Sequence, residues 1–141
     1  MTRDHIKRES HLPPPYREGK RGRIVLLEKA KAGVVEIAKC RNQIQTQQSI
    51  HIERYFARFC DNGCESLDDK KYKFEKRQIL SSGKSIPIFV FKAFKWRLYG
   101  TMINVDGINT FIGACIDDRK KQDKADPQQF VRAAEALQHF V

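Results

Sequence analysis

The sequence has no long hydrophobic run, and its few cysteines do not form a recognisable disulfide framework. No apolar stretch approaches the roughly 18 residues that a membrane helix needs, and the first residues contain no signal-peptide core. The four cysteines are Cys40, Cys60, Cys64 and Cys115. Their spacing is unlike that of a disulfide scaffold, and nothing in the pattern indicates export. We therefore expect a cytoplasmic protein with reduced thiols and no membrane partner.

Familiar signatures of cofactor and metal chemistry are also missing. The sequence contains no glycine-rich phosphate loop, nucleophile elbow or dinucleotide fingerprint, so we expect no cofactor. Cys60 and Cys64, together with His51, are the only combination that suggests a metal. Zinc usually takes four ligands from tighter, paired motifs, and Cys40 and Cys115 fall in other predicted elements. We predict no metal site and interpret Cys60 as a buried helix residue.

Acidic residues are scarce relative to basic ones. The chain carries 27 Lys and Arg against 17 Asp and Glu, a formal net charge of +10. Such an excess indicates the kind of partner rather than the fold, and RNA, DNA or the ribosome is the natural partner class. The alternative is a basic surface that serves only solubility.

The length and the proline pattern set the domain organisation. A chain of 141 residues favours one domain with one core. Residues 1–23 are basic and contain three consecutive prolines, which exclude a helix there and favour an extended arm. Residues 24–141 are predicted to form a single α+β domain.

The hydrophobic pattern then predicts the order of elements. Apolar residues recur at helical spacing from Ile24 to Ile44 and again over 47–60, which indicates a helical hairpin. An ambiguous strand over 72–80 and clearer strands over 86–94, 96–103 and 108–116 follow, with Asp106-Gly107 as a hairpin turn. Asp126 and Pro127 mark the start of a last helix. The predicted fold is α+β, with an N-terminal helical hairpin, an antiparallel β-meander of three to four strands and a C-terminal helix.

Cationic side chains concentrate around the predicted hairpin. Because strand residues alternate between faces, Lys95, Arg97 and Tyr99 are predicted to share one face. Lys92 is predicted to lie on the face opposite Lys95 unless a bulge or turn intervenes. The chain leaves the last strand through a second cluster, which we expect near Arg97 and which contributes Arg119, Lys120, Lys121 and Lys124.

Such a cluster can cleave RNA without a metal. The 2′-hydroxyl must lose a proton and attack the adjacent phosphate, and the leaving 5′-oxygen must gain a proton. Arg and Lys suit the stabilisation of the phosphorane charge, and Lys, Tyr or His can transfer the protons. The same cations can also simply hold phosphates, since phosphate contacts position nucleic acid far more often than they react.

The segments "KSIPIFVFKAFKWRLYGTMI" and "INTFIGACIDDRKKQDKADPQQFVRAAEAL" together resemble the C-terminal half of the RelE/ParE toxin superfamily, including its HigB-type members. The resemblance covers about residues 47–137. It rests on an arginine after an aromatic in a strand (Trp96-Arg97), a basic exit from the last strand and a C-terminal helix that begins near a proline. Two differences stand out: the family's N-terminal strand is not evident, and Gln129 and Phe130 stand where many active members carry a Tyr or His.

The resemblance implies a toxin of a type II toxin–antitoxin system, which inhibits translation by cutting mRNA on the ribosome and which a small antitoxin neutralises. It implies that Arg97 stabilises the transition state, that Lys120 and Lys121 match the basic residues after the last strand, and that Lys92 and Lys95 match strand lysines only loosely. We predict Arg97, Lys95, Tyr99 and Lys121 as catalytic. Lys92, Arg119, Lys120 and Lys124 are predicted to bind nucleic acid. The alternative is a non-catalytic basic module of a phage or mobile element that binds nucleic acid or protein.

Overall fold

The protein is built around one six-stranded mixed sheet. The computed structural model describes residues 12–40, 42–117 and 127–141. Within them the strands are β1 (Arg17–Glu18), β2 (Gly22–Leu26), β3 (Tyr72–Ile79), β4 (Ser85–Ala93), β5 (Trp96–Val105) and β6 (Ile108–Asp117). The α-helices are α1 (Glu28–Lys39), α2 (Gln43–Asn62) and α3 (Pro127–Leu137), with one turn of 3₁₀ helix at Cys64–Ser66.

The predicted architecture is wrong in its number of strands and in its layout. The chain is α+β, but strands β1 and β2 precede the helices, and the sheet has six strands in the order β1-β2-β6-β5-β4-β3. It is mixed rather than purely antiparallel, because β2 runs parallel to β6 while the other neighbouring strands are antiparallel. Helices α1 and α2 therefore do not begin the fold: they follow β2 and lead to β3 at the far edge of the sheet.

The sheet begins inside the segment that the sequence assigns to a basic arm. Strand β1 and the first residues of β2 belong to that segment. The hydroxyl of Tyr16 donates a hydrogen bond of 2.6 Å to Glu53 Oε2, and the Tyr16 ring packs edge-on against Phe56, with the ring centroids 5.9 Å apart. Residues 12–23 are thus attached to α2 by packing and hydrogen bonding.

Helices cover both faces of the sheet, so that two hydrophobic clusters form. One cluster lies between the sheet and helices α1 and α2; it contains Trp96, Leu98 and a group of interlocking aromatic rings around Phe91. The other lies between the opposite face and α3, where Phe130, Ala133 and Leu137 meet Tyr99 and Val90. None of the helices described is long and apolar enough to cross a membrane.

Candidate nucleic-acid interface

Lys92 and Arg97 lie directly opposite each other on strands β4 and β5. A two-residue turn, Phe94-Lys95, joins these strands, with Ala93 paired to Trp96. In one uninterrupted strand, Lys92 and Arg97 would point to opposite faces. Because the chain reverses at this turn, their side chains emerge on the same face of the sheet. Arg97 in turn pairs with Asp117, the last residue of β6. The predicted exit residues Arg119, Lys120, Lys121 and Lys124 follow Asp117 in the chain and lie outside the described residues.

Arg97 is held by the backbone of the turn. Its Nη1 donates hydrogen bonds to the carbonyl oxygens of Phe94 and Trp96, the second at 3.0 Å. Burial lowers the pKa of Arg97 from its ordinary value, and Tyr99, Glu75 and Asp117 oppose that shift. An arginine retains its charge at neutral pH even so, and a partly desolvated guanidinium attracts an anion more strongly than one in open water does.

A carboxylate sits among the cations of this face. Lys92 Nζ lies 3.8 Å and Lys73 Nζ 3.4 Å from the same oxygen, Oε1 of Glu75. Glu75 falls where the pairing between β3 and β4 shifts register. The carboxylate orients the two lysines and reduces the repulsion between them. Sequence reasoning missed Glu75 because the polar run around it gave no clear strand pattern.

Lys95 does not share the strand face of Arg97, whereas Tyr99 shares it as the strand parity predicts but is buried. Lys95 lies exposed in the turn rather than on a strand. Tyr99 is on the strand face shared with Arg97, but it is fully buried under α3, and its ring packs edge-on against Phe130, with centroids 5.5 Å apart. Burial, and secondarily the charge of Asp117, raises the pKa of the Tyr99 phenol well above its ordinary value. In this conformation the phenol has no route to a substrate.

The buried hydroxyl of Tyr99 makes Tyr99→Phe informative. Among the described residues this hydroxyl has no hydrogen-bond partner, and a buried unpaired polar group costs about 1–3 kcal/mol. We therefore expect Tyr99→Phe to raise the free energy of unfolding by about 1 kcal/mol, as measured by urea denaturation. A lower stability would show that the hydroxyl has a partner, and a loss of RNA cleavage would show that it takes part in the reaction.

The described residues contain no cluster of His, Cys, Asp and Glu that could hold a metal ion. All four cysteines are free thiols, and burial raises the pKa of Cys60 and of Cys115 to about 11. Cys64 Sγ contacts a Glu65 carboxylate oxygen at 3.4 Å.

Comparisons with protein-family models, with curated proteins and with solved structures found no match to this chain.

Proposed function

We propose that this chain is the toxin of a type II toxin–antitoxin system, similar to the RelE and HigB toxins, and that it acts in the cytoplasm as a ribosome-dependent mRNA endoribonuclease. The observation that carries the proposal is that Lys92 and Arg97 lie opposite each other on neighbouring strands. They lie at the end of the sheet where β6 leads into the basic segment that begins at Arg119. Strand β2, which precedes the two helices, adds support, because an N-terminal strand is typical of the superfamily.

In the proposed reaction the 2′-hydroxyl of one nucleotide loses its proton and attacks the neighbouring phosphorus. The bond from phosphorus to the 5′-oxygen breaks, and that oxygen takes up a proton, which leaves a 2′,3′-cyclic phosphate and a 5′-hydroxyl. Arg97 stabilises the charge that develops on the phosphate oxygens, since it is positioned before the reaction by the turn carbonyls. Lys92, Lys95 and Lys121 are the candidates for proton transfer and phosphate binding.

A second candidate is a non-catalytic binding module that uses the same surface to engage nucleic acid or protein. The burial of Tyr99 favours it, because this removes the phenol from the set of accessible acids and bases. Such a module would bind RNA with a strong dependence on salt and would leave the RNA intact.

Cell-free translation of a defined mRNA tests the nuclease, with RNA ends mapped by primer extension. Wild-type protein should generate new ends only when ribosomes are present. Arg97→Ala should slow their appearance roughly 10²- to 10³-fold, the usual effect of removing one donor that stabilises a transition-state charge. Arg77→Ala is the matched control, because Arg77 is an exposed arginine of the same sheet that donates a hydrogen bond of 3.4 Å to Ser85 Oγ.

Thermal melting of both variants shows whether they remain folded, which matters because Arg97 also forms hydrogen bonds with the turn. Arg97→Lys keeps the charge but has fewer donors in a different geometry, and it should recover part of the activity. Intact mRNA and undiminished translation with folded wild-type protein would contradict the nuclease and leave the binding module as the better account.

A further inference from the structure

The turn that contains Lys95 also contains Phe94, whose type neither the backbone conformation of the turn nor packing in the core accounts for. Phe94 has φ = 58°, in the left-handed region where bulky residues are outliers and glycine is favoured. Its side chain is 60% exposed. The ring meets His51 of α2 edge-on, with centroids 5.3 Å apart. A large aromatic residue is thus held at a strained position with much of its surface facing solvent.

Phe94 lines a cavity of about 750 Å³ between the turn and the first two turns of α2. The lining is unusual in its chemistry, because five carboxamide side chains (those of Asn42, Gln43, Gln45, Gln47 and Gln48) surround two apolar groups and one cation. The apolar groups are Phe94 and Ile44, the latter 67% exposed, and the cation is Lys95. Among the residues that the structure describes, no acidic side chain lines this cavity.

Gln48 points to a polar ligand. The residue is only 6% exposed, but it lines the cavity with a carboxamide that carries both donors and an acceptor. Asn42, by contrast, already accepts hydrogen bonds from the backbone N–H groups of Ile44 and Gln45 as the cap of α2. A ligand in the cavity can therefore form hydrogen bonds with Gln48 through either a donor or an acceptor.

We propose that this cavity binds a nucleobase of single-stranded RNA, and this inference rests on the proposed function in taking RNA as the ligand. A base has apolar faces and a polar edge. Phe94 supplies an aromatic surface for stacking, and glutamine side chains pair with base edges through both a donor and an acceptor. Lys95 supplies a charge for the phosphate backbone. A protein segment would match the apolar residues but would not need so many carboxamides.

The cavity, on the α2 side of the sheet, and the cationic face, on the α3 side, meet at the Phe94-Lys95 turn. The carbonyl oxygen of Phe94, which the turn presents, accepts a hydrogen bond from Arg97 Nη1. A base stacked on the Phe94 ring would therefore be held beside the arginine that we assign to the reacting phosphate. The pocket would place the RNA strand, and Arg97 would act on a phosphate of the same strand.

Binding of 12-nucleotide single-stranded RNAs to the full chain tests the pocket, with anisotropy reporting affinity and a central 2-aminopurine reporting stacking. Phe94→Gly removes the ring and relieves the strained backbone, so the variant should remain folded. It should bind RNA roughly 5- to 150-fold more weakly than wild type, the range found for the loss of one stacking contact. Phe94→Trp should retain both the affinity and the quenching of 2-aminopurine.

Phe74→Ala is the matched control, because Phe74 is a 48% exposed aromatic residue on β3 that does not line the cavity. It should bind RNA as wild type does. Equal affinity of wild type and Phe94→Gly for RNA would contradict the base-binding pocket, and the exposed ring would then be interpreted as a contact for a protein. A failure of wild type to bind RNA would contradict the pocket as well. The cleavage assay tests the nuclease separately. RNA binding that depends on Phe94, without any cleavage, would contradict the nuclease activity and support the base-binding pocket.

Discussion

Replacing Phe91 with alanine should lower the free energy of unfolding by about 3–5 kcal/mol, the usual loss for a buried phenylalanine. Phe91 is 1% exposed and stands at the centre of the aromatic cluster between the sheet and α2. Its ring centroid lies within 6 Å of four others, at 5.1 Å from Phe56, 5.8 Å from Phe59, 4.5 Å from Tyr72 and 4.8 Å from Phe111. Truncation removes the favourable edge-to-face contacts and leaves a cavity whose walls cannot collapse fully.

Urea denaturation followed by circular dichroism measures this loss, and Phe74→Ala again provides the comparison. Phe74 contacts Phe89 at a centroid distance of 5.4 Å, on the edge strand β3. Because about half of its side chain is already in solvent, its removal should cost about 1 kcal/mol or less. Equal losses for the two variants would contradict the central place of Phe91 in the core.

Gly100→Ala should destabilise the protein by about 3 kcal/mol or prevent it from folding. A Cβ atom built on Gly100 would lie 2.2 Å from the carbonyl oxygen of Ile112 and 2.6 Å from the ring of Phe111. The oxygen belongs to the backbone of the paired strand β6, so it cannot move without breaking the pairing between the two strands. Gly100 also lies where the β5–β6 register shifts, which restricts any local adjustment further.

Gly33→Ala is the matched control for this clash. A Cβ at Gly33, in the middle of α1, would lie 2.5 Å from Cδ1 of Ile116, the far end of a flexible side chain that can adopt another rotamer. Alanine also favours a helix over glycine by about 1 kcal/mol. Gly33→Ala should therefore melt within a few degrees of wild type, whereas Gly100→Ala should not. Similar melting temperatures for both variants would contradict the close packing described at Gly100.

Two structural features were predicted correctly from short sequence patterns: the turn between β5 and β6 and the start of helix α3. Asp106-Gly107 predicted the turn between β5 and β6, and Asp106 and Gly107 both have positive φ. Helix α3 begins at Pro127 as expected from proline at the first helical position. In both cases one or two residue types with special backbone preferences determine the structure, so a local pattern is sufficient.

Strand β2 was missed because its signal is not local. The apolar run from Ile24 to Leu27 leads directly into the helical spacing of α1, and a short apolar run is equally compatible with a strand or a helix. What makes it a strand is its parallel pairing with β6, in which Gly22 lies opposite Asn109. A pairing between residues so far apart in the chain leaves no trace in the spacing of neighbouring side chains.

The candidate site was only partly predictable for a related reason. Arg97 was identified from the residues around it, but its pairing with Lys92 depends on the Phe94-Lys95 turn. That turn contains no Gly, Pro, Asn or Asp, so nothing in the sequence marks it. The cavity beside it is formed by residues of α2 and of the β4–β5 turn, which only the tertiary packing brings together.

The parallel pairing of β2 with β6 also has a consequence for how the chain is made. Strand β2 leaves the ribosome more than eighty residues before its partner, a delay of roughly 4 to 17 s at ordinary rates of synthesis. During that time Ile24, Val25 and Leu26, all buried in the finished sheet, have no β6 to pair with. The sheet can close only after β6 has emerged, so the nascent chain must keep an apolar strand from aggregating until then.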